Sequence, residues 1–278
     1  MRTTAEAPDM EPRTMSGDEP GANGPQGGAP IALRRVSHGF GDLEVLASLD
    51  LAVGAGEVLG LVGPSGCGKS TLLELIAGLA EPEAGAIEVG GAGAAAERLG
   101  RCAYMPQRDL LLPWLSAIDN AALAPRNRGA SRAEARAAAA PLFERFGLKG
   151  FEDSRPDELS GGMRQRVAFL RTLLAGKPVL LLDEPFAALD AITRGEMQEW
   201  LAGALRTEVR TTLLVSHDVE EALYLCDRVL VLSGRPARVV AELAADAPRA
   251  EPRDGAVSAP SFVAVRERAL KALREGSR

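Results

Sequence analysis

Cysteine is scarce in this sequence. Cys67, Cys102 and Cys226 lie far apart, with no C-x-x-C pair. An odd count at irregular spacing argues against a disulfide framework or a zinc site. Basic charge is not in excess either. Lys and Arg number 32 against 38 Asp and Glu, for a net charge of −6. No overall field draws such a chain to nucleic acid or to anionic lipid, although a local basic patch is compatible with it. No nucleic-acid partner is expected. Long apolar runs are missing, since none approaches the roughly 20 residues that cross a bilayer. Any membrane role must therefore come through a partner. The apolar core of a secretory leader is absent from the first residues, so cytosolic residence is expected. We find no internal repeat.

What remains is ordinary globular composition. Of 278 residues, 46% are hydrophobic and 25% charged, enough for one α/β domain with an insertion or for two small domains. Residues 1–30 are rich in Pro, Gly, Ala and acidic side chains and nearly free of large apolar ones. They cannot offset the entropy of ordering and are expected to be disordered.

The rest of the chain is organised around Gly63-Pro64-Ser65-Gly66-Cys67-Gly68-Lys69-Ser70-Thr71. This stretch fits the phosphate-binding pattern G-x-x-x-x-G-K-[ST]. Val58, Leu59, Leu61 and Val62 precede it as a strand, and Leu72, Leu73, Leu75, Ile76 and Leu79 follow near helical spacing. The three glycines let successive N–H groups face inward around an anion, and the helix adds the positive end of its dipole. Lys69 would reach the β- and γ-phosphates, and the Ser70 hydroxyl would ligate Mg²⁺. Cys67 sits inside this loop as a small tolerated side chain. Its thiol is exposed to the acidifying effect of a helix N-terminus.

Strand and helix patterns alternate along the chain, which indicates α/β layering with a largely parallel sheet. Ile31, Leu33 and Val36, then Leu49, Leu51 and Val53, read as strands flanking a turn that carries Phe40. A strand at 101–105 ends in Pro106-Gln107. A mostly helical stretch at 116–146 holds a capping box, Ser131 with Glu134, and Pro141 predicts a kink or a shorter helix there. A helix opens at Leu159-Ser160-Gly161-Gly162, with Met163, Val167, Leu170 and Leu174 on one apolar face. The run at 179–182 reads as a strand buried on both faces and ends in Asp183-Glu184. A carboxylate at such a strand end can hold Mg²⁺, and its neighbour can polarise an attacking water. A further strand at 211–215 ends at Ser216-His217. Parallel α/β sheets bind ligands at strand C-termini, where Gln107, Asp183 and His217 all fall. Residues 244–260 read as a linker. A helix follows, with basic side chains at Arg266, Arg268, Lys271 and Arg274, expected to be a solvated or loosely docked tail.

In this order the motifs resemble the nucleotide-binding subunit of an ABC transporter. Residues 63–71 match the Walker A loop, Gln107 the Q-loop, and Leu159-Ser160-Gly161-Gly162-Met163-Arg164-Gln165-Arg166 the signature. Leu180-Leu181-Leu182-Asp183-Glu184-Pro185 matches Walker B with the catalytic glutamate, Ala188-Leu189-Asp190 most of the D-loop, and His217 the H-loop. The resemblance runs over residues 31–243. It implies a P-loop NTPase core of the ABC type, with a mostly parallel sheet, an antiparallel β subdomain and a helical subdomain inserted at about 108–165. ATP and Mg²⁺ are implied as ligands. Phe40 would stack on adenine, while Lys69 and the loop amides would hold the phosphates. Ser70 and Gln107 would ligate Mg²⁺, supported by Asp183. Glu184 would activate water and His217 would contact the γ-phosphate. The resemblance also implies a head-to-tail pair of cassettes in which Ser160, Gly161 and Gly162 contact the γ-phosphate held by the partner. Ala187 departs from the usual Gly or Ser, which touches a small part of the D-loop contacts, and Phe40 replaces the commoner Tyr.

Leu111-Leu112-Pro113-Trp114 with Asp119-Asn120, and Asp183-Glu184-Pro185-Phe186 through Asp190-Ala191-Ile192-Thr193-Arg194, resemble importers of nitrate, sulfonates or taurine, and of thiamine-precursor pyrimidines. The resemblance implies transmembrane permease subunits as direct partners, an extracytoplasmic substrate-binding protein as an indirect one, and residence at the cytoplasmic face of the membrane. Residues 110–114 are apolar where a loop is usually polar. They either dock a permease helix or pack inside the helical subdomain. Two other classes share the motifs. DNA-maintenance ATPases carry long coiled-coil arms between phosphate loop and signature, whereas the gap here is on the order of 90 residues without sustained heptads. Soluble ABC proteins of translation generally carry two cassettes, and this chain has one. A transport ATPase is expected, with a soluble non-transport ATPase as the alternative.

Overall fold

The computed structural model describes residues 27–187, 189–207, 209–245 and 252–276. Of residues 1–30, expected to be disordered, 1–26 lie outside them, as does the D-loop position Ala188. The first two strands, β1 (Ile31–Phe40) and β2 (Leu43–Val53), join β4 (Ala84–Val89) in a three-stranded antiparallel sheet of order β2-β1-β4. The second sheet has six strands in the order β5-β6-β7-β3-β8-β9. These are β3 (Val58–Val62), β5 (Cys102–Met105), β6 (Val179–Asp183), β7 (Thr211–Ser216), β8 (Arg228–Leu232) and β9 (Val239–Ala244), and only β9 runs antiparallel to its neighbour.

The central strands are apolar at nearly every position because both sheet faces are covered. Leu180, Leu182 and Leu214 pack into a core with the helices on one side. Leu181, Leu213, Val215, Leu59 and Leu61 face the antiparallel sheet and α1 (Lys69–Ala77) on the other. Registers align the strand ends. Val62 pairs with Ser216 and Val231, Asp183 with Val215, and Met105 with Leu182. The chain therefore leaves β3, β5, β6, β7 and β8 along one edge.

The sequence reading did not foresee α2 (Ala95–Arg101), an alanine-rich helix without apolar periodicity. Arg98 holds it in place, buried against Leu75 O, Gly93 O and Glu81. The helical insertion comprises α3 (Ala117–Ala121), α4 (Leu123–Asn127) and α5 (Arg132–Arg145), followed by α6 (Gly161–Leu174). The Ser131–Glu134 capping box forms in both directions, at 3.3 and 2.8 Å. The helix continues past Pro141 to Arg145, so it is not shortened as proline predicts. Phe143 and Phe146, both buried, hold the last turn against the core. Gln165, a polar position on α6, is buried and donates to Pro185 O at 2.6 Å.

After α7 (Ala191–Thr207) and α8 (Val219–Leu225), the chain ends in α9 (Arg253–Ser258) and α10 (Pro260–Gly276). A linker over residues 244–260 and a loose tail were expected here; residues 246–251 lie outside the described residues, and the structure corrects the rest. Residues 253–258 are helical, and α10 buries Phe262 and Ala269 against the core. Arg253 and Arg266 close on the two oxygens of Glu220, at 2.5 and 2.9 Å. The basic side chain at 266 is thus a clasp rather than a solvated face. Among the described residues, no helix is long and apolar enough to cross a membrane.

Candidate functional site

The phosphate loop leaves β3 after Val62 and turns into α1. Gly66 and Gly68 take positive φ, 75° and 114°. A β-carbon on Gly68 would lie 2.5 Å from Val45 Cγ1, so only glycine fits. No side chain caps α1 and no acidic residue occupies its first turn. Its first N–H groups are left for an anion. Lys69 is buried, and its Nζ donates to the carbonyls of Gly63 and Pro64 at 2.9 and 3.0 Å. These two bonds hold the ammonium over the loop and leave its third donor uncommitted.

A cleft of about 390 Å³ opens over this loop. Phe40, Ser65, Gly66, Gly68, Lys69, Ser70, Thr71, Gln107, Glu184 and Arg235 line it. Strands β1, β3, β5, β6 and β8 thus each send residues to one place. Phe40 stands at the end of β1, 59% exposed, edge-on to His38 at 5.2 Å between ring centroids. Cys67 is buried beneath the loop. Burial pushes its thiol up, outweighing the neighbouring Lys69 charge. The acidified thiol that a helix N-terminus suggests is therefore not what the packing produces.

Asp183 ends β6 and is buried. Burial pushes its carboxyl up, opposed by the Ser70 and Tyr104 hydroxyls. Tyr104 donates to Asp183 Oδ2 at 3.2 Å, and Oδ1 is buried with no partner. An orphaned, buried carboxylate oxygen behind Ser70, which lines a cleft built for anions, is chemistry that a divalent cation satisfies. The residues present fit Mg²⁺ with a nucleotide. Glu184, the next residue, sits at φ 44°, a strained conformation for a side chain of this size. Its Oε2 accepts from Gln107 Nε2 at 3.1 Å and meets His217 Nδ1 at 3.2 Å. The residues after three different strands thus converge on one carboxylate oxygen.

The signature residues are elsewhere. Ser160 caps α6, its Oγ accepting from Met163 N at 3.3 Å. Gly162 is wedged where a β-carbon would lie 2.8 Å from Thr193 Cγ2. Gly161 lines a separate cavity of about 550 Å³ with Gln107, Asp109, Arg164 and Ala187. Ser160, Gly161 and Gly162 do not line the cleft of their own Lys69.

Sequence reasoning missed Arg235, which lines the cleft, and Tyr104, which bonds to Asp183 beside it. Tyr104 lies within β5, and only the β5–β6 register, which pairs it with Leu181, shows that it reaches Asp183. Arg235 follows β8 in a stretch with no motif. Behind His217 lies a third, Glu221, buried on α8 and bonded to Gln198 at 3.0 Å. Burial pushes its carboxyl up from 4.5 to about 7, against the Ser216 and Gln198 hydrogen bonds. In the unfolded chain this group ionises first. Stability is therefore lost as pH rises between those two values, and the loss is complete above the upper one. Glu221→Gln removes the penalty. Its unfolding free energy relative to wild type is expected to rise by about 2–3 kcal/mol between roughly pH 5 and pH 8. Urea titrations at both pH values check this, and an unchanged difference would refute it.

A family model described as ABC transporter matches residues 46–187, slightly over half of the chain. The chain belongs to the ABC transporter family. It is an ATP-binding cassette ATPase with the P-loop NTPase fold of such cassettes. This cassette is 46% identical over 192 residues to a formylaminopyrimidine import ATP-binding protein of Halalkalibacterium halodurans, covering 69% of this chain and 74% of that one. It is 49% identical over 198 residues to an aliphatic sulfonates import ATP-binding protein of Rhodococcus jostii, covering 71% and 77%. A taurine import ATP-binding protein of Burkholderia pseudomallei is 42% identical over 229 residues, covering 81% and 88%. Among solved structures, a dimeric ATP-binding cassette in a post-hydrolysis state, bound to ADP and phosphate, superposes with a TM-score of 0.68 at 28% identity. That match covers 77% of this chain and 98% of the other.

Proposed function

We propose that two copies of this cassette enclose ATP between them and power import of a small solute through permease subunits at the cytoplasmic face of the membrane. The observation that carries the pairing is the incompleteness of the cleft. Lys69, Glu184 and their neighbours gather on one side, while the glycine-opened end of α6 points into a different cavity. A second copy would bring that end to the phosphates. A similar cassette is dimeric with ADP and phosphate bound, which supports this reading. The working unit is residues 31–243, with its helical part at about 108–165. The cargo class is nitrate, a sulfonate, taurine or a thiamine-precursor pyrimidine. The import proteins for sulfonates, taurine and formylaminopyrimidine named above support that range. The external binding protein that selects the cargo is an indirect partner.

Within this assembly Phe40 offers its exposed ring face to adenine. Lys69 and the amides of residues 63–71 hold the phosphates. Ser70 and Gln107 would hold Mg²⁺, with Asp183 behind them, and the bound cation would supply positive charge against the phosphate oxygens. Glu184 takes a proton from water as its oxygen bonds to the γ-phosphorus and the bond to the β–γ bridging oxygen breaks. His217 orients Glu184 through its 3.2 Å contact and reaches the γ-phosphate.

Complementation tests the shared pocket. Lys69→Ala removes one cradle, and Ser160→Arg blocks one helix tip. Each variant alone is expected to be inactive. A heterodimer of the two still holds one intact composite site, so mixing them should restore ATP turnover. Absence of recovery from two folded variants would overturn the pairing.

A further inference from the structure

Strand β8 runs parallel to β3, so the chain leaving it emerges beside the phosphate loop. The turn that follows is well tied down. Ala237 N donates to Val45 O at 2.8 Å, and Arg238 N donates to Ser233 Oγ at 3.0 Å. From this turn Arg235 reaches into the same cleft as Lys69 and Glu184. Its Nη2 lies 3.1 Å from where a β-carbon on Gly66 would stand, over the tip of the phosphate loop. Arg132, Arg136, Arg164, Arg228, Arg253 and Arg266 each bridge a carboxylate. Among the described residues, Arg235 has no such partner. An unpaired guanidinium beside a loop of inward-facing amides is a ready contact for a phosphate oxygen.

The same turn is fastened to the far end of the chain. Gly234 N donates to Gly276 O at 2.9 Å, closing the last turn of α10 onto it. Gly276 is packed tightly there. A β-carbon would stand 3.1 Å from Val240 Cγ2 and 3.3 Å from Ser233 Cα. Helix α10 is itself clasped to α8 through Arg266 and Glu220, and α8 begins two residues after His217.

We propose that Arg235 is a second cation for the nucleotide's polyphosphate, and that the end of α10 holds it in position. This rests on the nucleotide-binding reading above. The two sides of the turn carry the two parts of the claim, a guanidinium over Gly66 on one and the Gly276 carbonyl on the other.

Equilibrium titration of the full chain with a fluorescent ATP analogue, competed by ATP, ADP and tripolyphosphate, tests it. Arg235→Ala is expected to weaken all three competitors about tenfold, and Arg235→Lys to recover part of the loss because charge is kept. Loss for ATP and ADP with tripolyphosphate unchanged would move Arg235 to the base or sugar and overturn the phosphate assignment. Gly276→Val should reproduce part of the Arg235→Ala loss and add nothing to it in the double variant. Additive losses, or no loss, would overturn the role of α10. Wild-type binding that Lys69→Ala abolishes keeps the underlying reading intact whatever Arg235 does. If wild type itself fails to bind, that reading falls instead.

Discussion

Glu184→Gln is expected to lower ATP turnover by about 10²–10⁴-fold, the range for loss of a positioned general base. Nucleotide affinity should stay near the wild-type value. The substitution keeps shape and removes one capability. An amide oxygen still accepts from Gln107 Nε2, as Oε2 does at 3.1 Å, and still meets His217. It cannot take a proton. The backbone around it is fixed by Glu184 N donating to Val215 O at 2.9 Å and by the paired strands β6 and β7, so the φ of 44° survives the change. Asp183 is untouched, which leaves the proposed cation site in place. Single-turnover hydrolysis and a binding titration separate the two terms. Turnover within tenfold of wild type would show that another group accepts the proton.

Much of this site was legible in the sequence, because its parts are local. A glycine loop between a strand and a helix, an apolar run ending in two carboxylates, and a Ser-His after another such run each announce themselves over fewer than about ten residues. The alignment of strand ends follows from the parallel layering, and the structure gathers Lys69, Gln107, Glu184 and His217 accordingly. What stayed hidden depends on contacts distant in sequence. Tyr104 meets Asp183 only through strand register. Arg235 enters the cleft only because β8 lies beside β3. Helices α9 and α10 are clasped because Glu220, some distance upstream, offers one carboxylate oxygen to Arg253 and the other to Arg266. Cys67 shows local reasoning overruled, since a helix N-terminus favours the thiolate and burial disfavours it more.

The apolar stretch at 110–114 divides in the structure in a way neither sequence reading gave. Leu111 is buried in the main core, while Leu110 and Trp114 are 58% and 67% exposed. Exposure of a large ring on an ordered loop suits a surface that docks a permease segment. The order comes from Asn120, fully buried on α3. Its Oδ1 accepts from Leu112 N at 2.7 Å, and its Nδ2 reaches the carbonyls of Leu112, Leu115 and Ser116 at 3.1–3.2 Å. One side chain thus pins both ends of the loop that presents Trp114. Asn120→Ala leaves several backbone groups unpaired at once. At about 1–3 kcal/mol for each group that water cannot reach, a loss on the order of 3 kcal/mol is expected. Faster proteolysis between 110 and 116 should accompany it. Trp114→Glu lies on the surface and should change stability by less than about 0.5 kcal/mol. Both variants should lose permease association, the second at unchanged melting temperature. Trp114→Glu that still co-purifies with the permease would show that Trp114 is not the anchor. The loss in Asn120→Ala would then be one of fold alone.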